Sequence, residues 1–264
     1  MNAQALLPSL KAWFQSYTHG FSSDDPIVQE NLDLKREHTW RVCEAIRDIG
    51  WSLDLSKEDL CLAEASGLLH DIGRFEQYRR YRTFSDYKSE NHAALGARII
   101  QAAGILAGLE PVAADIILRA VAYHNRADLP LEEKEPCLFF LKLLRDADKL
   151  DIWRVVTEYY RNARFRRNRT IELDLPDVDR VSKPVYEALM QGRLVQTADL
   201  KTLNDFKLLQ IGWIYDINFP MTFNIIEEKK YLERILDALP RQCPRVTEVY
   251  ARARAHLERN ASAA

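Results

Sequence analysis

The amino-acid sequence predicts a nearly all-α protein. Apolar residues recur at three- and four-residue spacing through most of the 264 residues, which is the pattern of amphipathic helices. Only 9 glycines and 10 prolines are present, so few positions interrupt that pattern. With 47% hydrophobic and 29% charged residues, the composition is that of a globular protein whose length allows one large domain or two small ones.

The helical pattern divides into separate segments along the chain. The spacing predicts helices over residues 35–49, 57–71, 89–103, 111–125, 137–162, 180–190, 202–217, 222–238 and 243–259. We expect a helical domain over residues 1–162 and, over residues 163–264, an arm and a C-terminal helical extension that packs on it, or one continuous domain over both.

Two stretches depart from this pattern. Residues 73–88 are aromatic and basic without a clear helical period, and we expect them to cover one side of a pocket. Residues 163–179 begin with four arginines (Arg164, Arg166, Arg167 and Arg169). An alternation of Ile171, Leu173 and Leu175 with acidic residues follows, which favours an arm or a short strand.

Charge and hydropathy exclude several classes of function. The formal net charge of −2 gives no general attraction to nucleic acid, and the basic residues 161–169 are more simply explained as partners of neighbouring acids. The sequence has no apolar run long enough for a membrane span and no basic segment before an apolar one at its start. We therefore expect a cytoplasmic protein that binds neither membranes nor nucleic acid.

The histidines give the first indication of chemistry. Five of the six lie in the first half of the chain, and four of these lie inside or at the end of different predicted helices: His38, His70, His92 and His124. His92 and His124 share helical faces with apolar residues, so both side chains should point inward. Imidazole groups gathered from several helices are a common way to bind a divalent transition metal.

Two aspartates strengthen this interpretation. Asp148 lies on the same predicted helical face as Leu141 and Leu144, where an unpaired carboxylate is costly to bury and a cation would remove that cost. Asp71 directly follows His70, so the two can reach one site from one helix end. A single inward histidine is usually a core residue bonded to a neighbour, but the whole set predicts a metal site.

Over residues 30–160, the sequence resembles the HD superfamily of metal-dependent phosphohydrolases. The pattern of that superfamily is a histidine, then a His-Asp doublet, then a distal aspartate. This chain has His38 in Lys-Arg-Glu-His, the doublet in Leu-Leu-His-Asp-Ile-Gly, and Asp148 in Asp-Ala-Asp-Lys-Leu-Asp. The resemblance implies an HD-domain helical bundle, and it does not extend to the last hundred residues.

The resemblance also implies the ligands of the metal. A first ion would be held by His38, His70, Asp71 and Asp148. In binuclear members two further histidines lie between the doublet and the distal aspartate, and a second ion would here be held by His92 and His124, with Asp71 bridging. We therefore expect one or two divalent ions, with Mn, Fe, Co, Ni and Mg as the candidates.

Differences between this sequence and the motifs of particular HD branches reduce the range of candidate substrates. Cyclic-dinucleotide phosphodiesterases of the HD-GYP branch carry a Gly-Tyr-Pro segment after paired histidines, whereas residues 123–130 read Tyr-His-Asn-Arg-Ala-Asp-Leu-Pro. Alarmone hydrolases carry a Glu-Asp pair shortly after the doublet, which residues 72–76 lack. Many related enzymes have a lysine three residues after the doublet aspartate. Arg74 occupies that place here and keeps a charge suited to phosphate.

The expected reaction is hydrolysis of a phosphomonoester or phosphodiester, with nucleotides among the candidates, by metal-activated water. Asp71 would orient the water, and Arg74 would stabilise charge on the phosphoryl oxygens. We also expect phosphate contacts from Asn125, Arg126 and Lys149, although Lys149 could equally pair with Asp146 or Glu158.

Two alternatives stay open at this point. An HD-fold protein without turnover would serve as a regulator or scaffold, although such proteins usually lack one or more ligands. A mixed-valent di-iron oxygenase of the HD type would have the same ligand set. The sequence leaves the oligomeric state open, and a homo-oligomer is compatible with it.

Overall fold

The computed structural model describes residues 2–162 and 167–261. These residues form α-helices and a few short 3-10 helices and contain no strand, which confirms the all-α prediction. The chain divides into two compact units, Met1–Asp151 and Ile152–Ala264, and the boundary lies inside one helix. Within the described ranges, no helix is both long and apolar enough to cross a bilayer.

The first unit contains six helices and the beginning of a seventh. They are α1 (Ala3–His19), α2 (Pro26–Ser52), α3 (Lys57–Leu69), α4 (Ile72–Tyr81), α5 (His92–Ala103), α6 (Pro111–Tyr123) and α7 (Cys137–Asn162). Helix α3 packs against α1, α2 and α6, and α5 packs between α4 and α6. The core is aliphatic, with fully buried side chains such as Ile46, Leu68, Ile72 and Ile117.

In the described residues of the second unit, the end of α7 is followed by five further helices, α8 (Lys183–Met190), α9 (Leu203–Gly212), α10 (Pro220–Lys229), α11 (Tyr231–Leu236) and α12 (Pro244–Ala261). Helix α12 packs against α8, α9 and α10. Trp153 is fully buried, and its Nε1 donates to the carbonyl oxygen of Gln210 at 2.9 Å. A capping box between Thr202 and Asp205 fixes the start of α9.

Capping side chains set the helix boundaries that position the later residues of interest. Asp25 accepts from the backbone nitrogens of Ile27 and Val28, and so begins α2. Asn91 accepts from the nitrogen of Ala94 and makes His92 the first residue of α5. Helix α3 ends at Leu69, two residues earlier than the predicted end, so the His-Asp doublet lies between α3 and α4.

The prediction that residues 73–88 lie outside the helical pattern is wrong for its first half. Helix α4 spans Ile72–Tyr81 and ends at Arg82, whose φ of 54° is left-handed. The first two turns are buried on nearly every side, and even Glu76 and Gln77 are covered. An amphipathic period is therefore absent, because that pattern requires one solvent-exposed face.

Of the two alternatives expected for residues 163–179, an arm or a short strand, the short strand is absent where the structure describes them, from residue 167 onward. Leu173 and Asp174 have φ values of 54° and 53°, which interrupt any extended run. Glu172 is buried, where it accepts from the Tyr159 hydroxyl and from Arg167. Arg164 and Arg166 lie outside the described residues.

Candidate metal centre

Five helices of the first unit bring the six predicted ligands together. His38 lies within α2, the His70–Asp71 doublet between α3 and α4, and His92 at the start of α5. His124 directly follows α6, and Asp148 lies within α7. The four histidines and Asp71 are at most 5% exposed, and the Asp148 side chain is 16% exposed. The inward orientation predicted for His92 and His124 is confirmed.

The first histidine pair meets both aspartates. The Nε2 atoms of His38 and His70 are 3.2 Å apart. Asp148 Oδ1 lies 3.1 Å from His38 Nε2 and 3.7 Å from His70 Nε2. Asp71 Oδ2 lies 3.6 Å from each of these nitrogens. Four potential donor atoms therefore surround one point.

The second pair faces the other oxygen of the same aspartate. His92 Nε2 and His124 Nε2 are 3.0 Å apart, and they lie 3.2 and 3.9 Å from Asp71 Oδ1. Asp71 thus directs one oxygen to each pair, as expected of a carboxylate that bridges two ions.

The donor set suits a divalent metal. Three overlapping groups have donor atoms within 4.8 Å of one another: His38–His70–Asp71, His70–His124–Asp148 and Asp71–His92–His124. Buried imidazoles and carboxylates in this number are the ligands that transition metals of intermediate softness prefer. The overlap of the three groups makes the six residues one continuous cluster.

Outer hydrogen bonds orient all four imidazole rings. His38 Nδ1 lies 2.7 Å from Asp151 Oδ2, and His92 Nδ1 lies 2.8 Å from Asp86 Oδ2. The Nδ1 atoms of His70 and His124 lie 2.7 Å from the carbonyl oxygens of Gly67 and Val121. A proton on each Nδ1 satisfies these acceptors and leaves each Nε2 lone pair directed at the cluster.

The electrostatics keep His124 and the two carboxylates in metal-binding states. Burial, with smaller contributions from His92 and His70, lowers the pKa of His124 to about 3, so this ring is neutral. Burial alone would raise the pKa of the Asp71 carboxyl, but the Lys35 ammonium and the His70 ring hold that pKa well below its usual range. Contacts with the His38 and His70 rings likewise lower the pKa of Asp148 against the effect of burial. Both carboxylates are therefore ionised at neutral pH.

Sequence reasoning missed the two outer carboxylates, Asp86 and Asp151. Asp151 follows Asp148 by one helical turn and also accepts from Arg41 Nε at 2.6 Å, so its helical spacing was an available signal. Asp86 lies in a 3-10 turn with no periodic signal. Besides His92 it accepts from Arg74, Gln77 and Asn125 at 3.0, 2.8 and 2.9 Å.

The four predicted phosphate contacts have different surroundings. Arg74 donates through one terminal nitrogen to Gln77, Phe84 and Asp86, while its Nε lies 3.4 Å from Asp71 Oδ1. Asn125 donates to Asp86. Arg126 is exposed, with its guanidinium carbon 4.3 Å from the Tyr123 ring centroid. Lys149 is buried and donates to the carbonyl oxygen of Arg145 at 3.3 Å.

Comparison with protein families gives one match. The family model of the HD domain matches residues 36–153, a segment that contains all six predicted ligands and both outer carboxylates. Comparison with curated proteins and with solved structures gave no match.

Proposed function

Because the family model of the HD domain matches residues 36–153, we propose that this chain is a metal-dependent phosphohydrolase that cleaves a small phosphate ester. The observation that carries this proposal is the placement of Asp71, whose two oxygens face two separate histidine pairs. We propose His38, His70, Asp71 and Asp148 as ligands of one divalent ion, and His92, His124 and Asp71 as ligands of a second. When bound, a divalent ion lowers the pKa of a coordinated water and polarises phosphoryl oxygens.

Two buried polar atoms support a ligand at this place. Arg74 Nε and Asn125 Oδ1 have no hydrogen-bond partner among the described residues. Buried polar groups in proteins are nearly always satisfied, so an orphaned donor and an orphaned acceptor near the ligands favour a bound ion, water or substrate. The free Nε donor supports the proposal that Arg74 contacts substrate.

In the proposed hydrolysis, the oxygen of a water molecule bonds to phosphorus and the ester P–O bond breaks. The leaving oxygen keeps the bonding electrons and takes up a proton. Asp71, held ionised by its neighbours, is placed to accept a hydrogen bond from the attacking water. Arg74 Nε, at the second histidine pair, is placed to donate to a phosphoryl oxygen.

The first test is metal content, followed by hydrolysis. Protein purified without added metal should contain one or two divalent ions per chain, or take them up from Mn²⁺, Fe²⁺, Co²⁺, Ni²⁺ or Mg²⁺. The loaded protein should hydrolyse members of a panel of nucleotides and generic phosphate esters, and a chelator should stop turnover. Well-folded protein that takes up no metal under any condition would instead identify the cluster as a polar core and the protein as a scaffold.

Replacing Asp86 with asparagine should weaken metal binding by about 10- to 100-fold, because outer partners of histidine ligands commonly have effects of this size. The variant keeps the shape of the side chain but loses the charge that faces His92 Nδ1. Calorimetric titration with Mn²⁺ measures the affinity. Asp115→Asn is the control, since Asp115 is exposed and pairs with Arg119. Equal affinity in the Asp86 variant and the wild type would show that Asp86 does not support a ligand.

A further inference from the structure

The charges around Asp71 indicate which kind of phosphate ester the site accepts. We propose that Lys35 binds a terminal phosphoryl group and that the substrate is a phosphomonoester rather than a phosphodiester. This inference rests on the proposed phosphohydrolase function.

Lys35 lies beside the first histidine pair. It precedes His38 by one turn of α2, and its Nζ donates to Asp71 Oδ2 at 2.7 Å. The side chain is 16% exposed, and Nζ lies 5.3 Å from the centroid of the Phe84 ring. Asp71 is its only hydrogen-bond acceptor within residues 2–162 and 167–261. An ammonium group has three donors, so two of the three remain available for a ligand.

Arg74 lies at the other oxygen of Asp71, but its charge is already balanced. Its terminal nitrogen forms an ion pair with Asp86 at 3.0 Å, and it also donates to Gln77 and to the Phe84 carbonyl. The negative partner of Lys35 is Asp71 itself, the residue proposed to bind both ions. With ions bound at both histidine pairs, Lys35 would share its only acidic partner among the described residues with the metal, and a partly buried unpaired charge is unfavourable.

The charge balance then favours a dianion. Counted over the two divalent ions, Lys35, Asp71 and Asp148 alone, the site has five positive and two negative charges, which leaves an excess of three. The outer carboxylates change this balance little, since Asp86 pairs with Arg74 and Asp151 with Arg41. A hydroxide nucleophile and the dianion of a phosphomonoester neutralise the excess, whereas a phosphodiester carries one negative charge and leaves the site positive.

The substrate class is tested with a matched pair of esters on metal-loaded wild-type protein. We expect p-nitrophenyl phosphate to be hydrolysed with a higher kcat/KM than bis(p-nitrophenyl) phosphate. Equal rates, or faster hydrolysis of the diester, would overturn the monoester assignment and leave the phosphohydrolase function standing. Absence of metal uptake would instead contradict the proposed function itself.

The role of Lys35 is tested with Lys35→Met, Lys35→Arg and the control Lys57→Met, which changes an exposed lysine at the start of α3. Lys35→Met should keep its metal content and its thermal unfolding. It should bind inorganic phosphate about 10- to 100-fold more weakly in calorimetry and lose a similar factor in kcat/KM for the monoester, with little change for the diester. Lys35→Arg should recover part of both losses.

Two results would overturn this role for Lys35. The first is Lys35→Met protein that binds phosphate as tightly as the wild type. The second is Lys35→Met protein that loses its metal, because Lys35 would then only position Asp71. Phosphate binding is measured without turnover, so the test also holds if neither ester is a good substrate.

Discussion

Asp71→Asn protein is expected to lose most of its bound metal, and its turnover should fall by at least about 100-fold, because even outer partners of ligands have effects of 10- to 100-fold. Asp71 is the ligand whose two oxygens face both histidine pairs, so one substitution affects both proposed ions. Asparagine keeps the shape but removes the charge that the pair of divalent ions requires. Elemental analysis of the purified variant and steady-state kinetics measure the two effects.

Folding should survive this change, which separates loss of the site from loss of structure. Asp48→Asn, at an exposed position of α2, is the control and should behave as the wild type. An Asp71→Asn protein that keeps two ions and full turnover would contradict the bridging role and the assignment of Asp71 as a ligand.

Gly73→Ala should destabilise the first unit by roughly 2–4 kcal/mol, a large effect for one methyl group. A Cβ at position 73 would overlap the carbonyl oxygen of His92 and lie 2.7 Å from the nitrogen of Gly96. Both are backbone atoms of α5, so relief requires α4 and α5 to move apart. That movement would also displace His92 from Asp71. Thermal unfolding should show a Tm lower by about 5–15 °C.

Gly67→Ala is the matched control for this prediction. Gly67 also lies in a helix beside the doublet, but a Cβ there would meet side-chain atoms of Ile46 and Val42 at the ordinary distances of 3.5 and 3.6 Å. Alanine is the better helix former, so this variant should be within about 1 kcal/mol of the wild type. If both variants unfold at the wild-type temperature, the close approach of α4 and α5 is not required for stability.

The inward orientation of His92, His124 and Asp148 could be predicted because helical periodicity is a local signal. Asp148 lies on the apolar face of α7, whose bounds of 137–162 matched the prediction. Helix α1 was missed although Leu6, Leu10 and Phe14 carry the helical period, since Pro8 interrupts that signal.

Tertiary contacts explain what the sequence could not provide. The carbonyl oxygens of Gly67 and Val121 orient the rings of His70 and His124. Every residue has a backbone carbonyl, so the sequence does not indicate which one will accept such a hydrogen bond. Lys35 is one charge in a polar stretch, and its importance depends on a partner 36 positions away. Asp86 lies in a turn and contacts four side chains there. No repeating sequence pattern predicts the conformation of that turn.

The hydrogen bond between His38 and Asp151 joins residues 113 positions apart, and this separation has a consequence for synthesis of the chain. Long-range contacts form slowly and late, because the intervening segment must first become ordered. A ribosome-bound chain that ends before α7 lacks both Asp148 and Asp151, so the first histidine pair has no complete set of partners. We therefore expect the proposed ions to be acquired only after α7 has emerged, when they would act as a cross-link that slows unfolding of the finished protein.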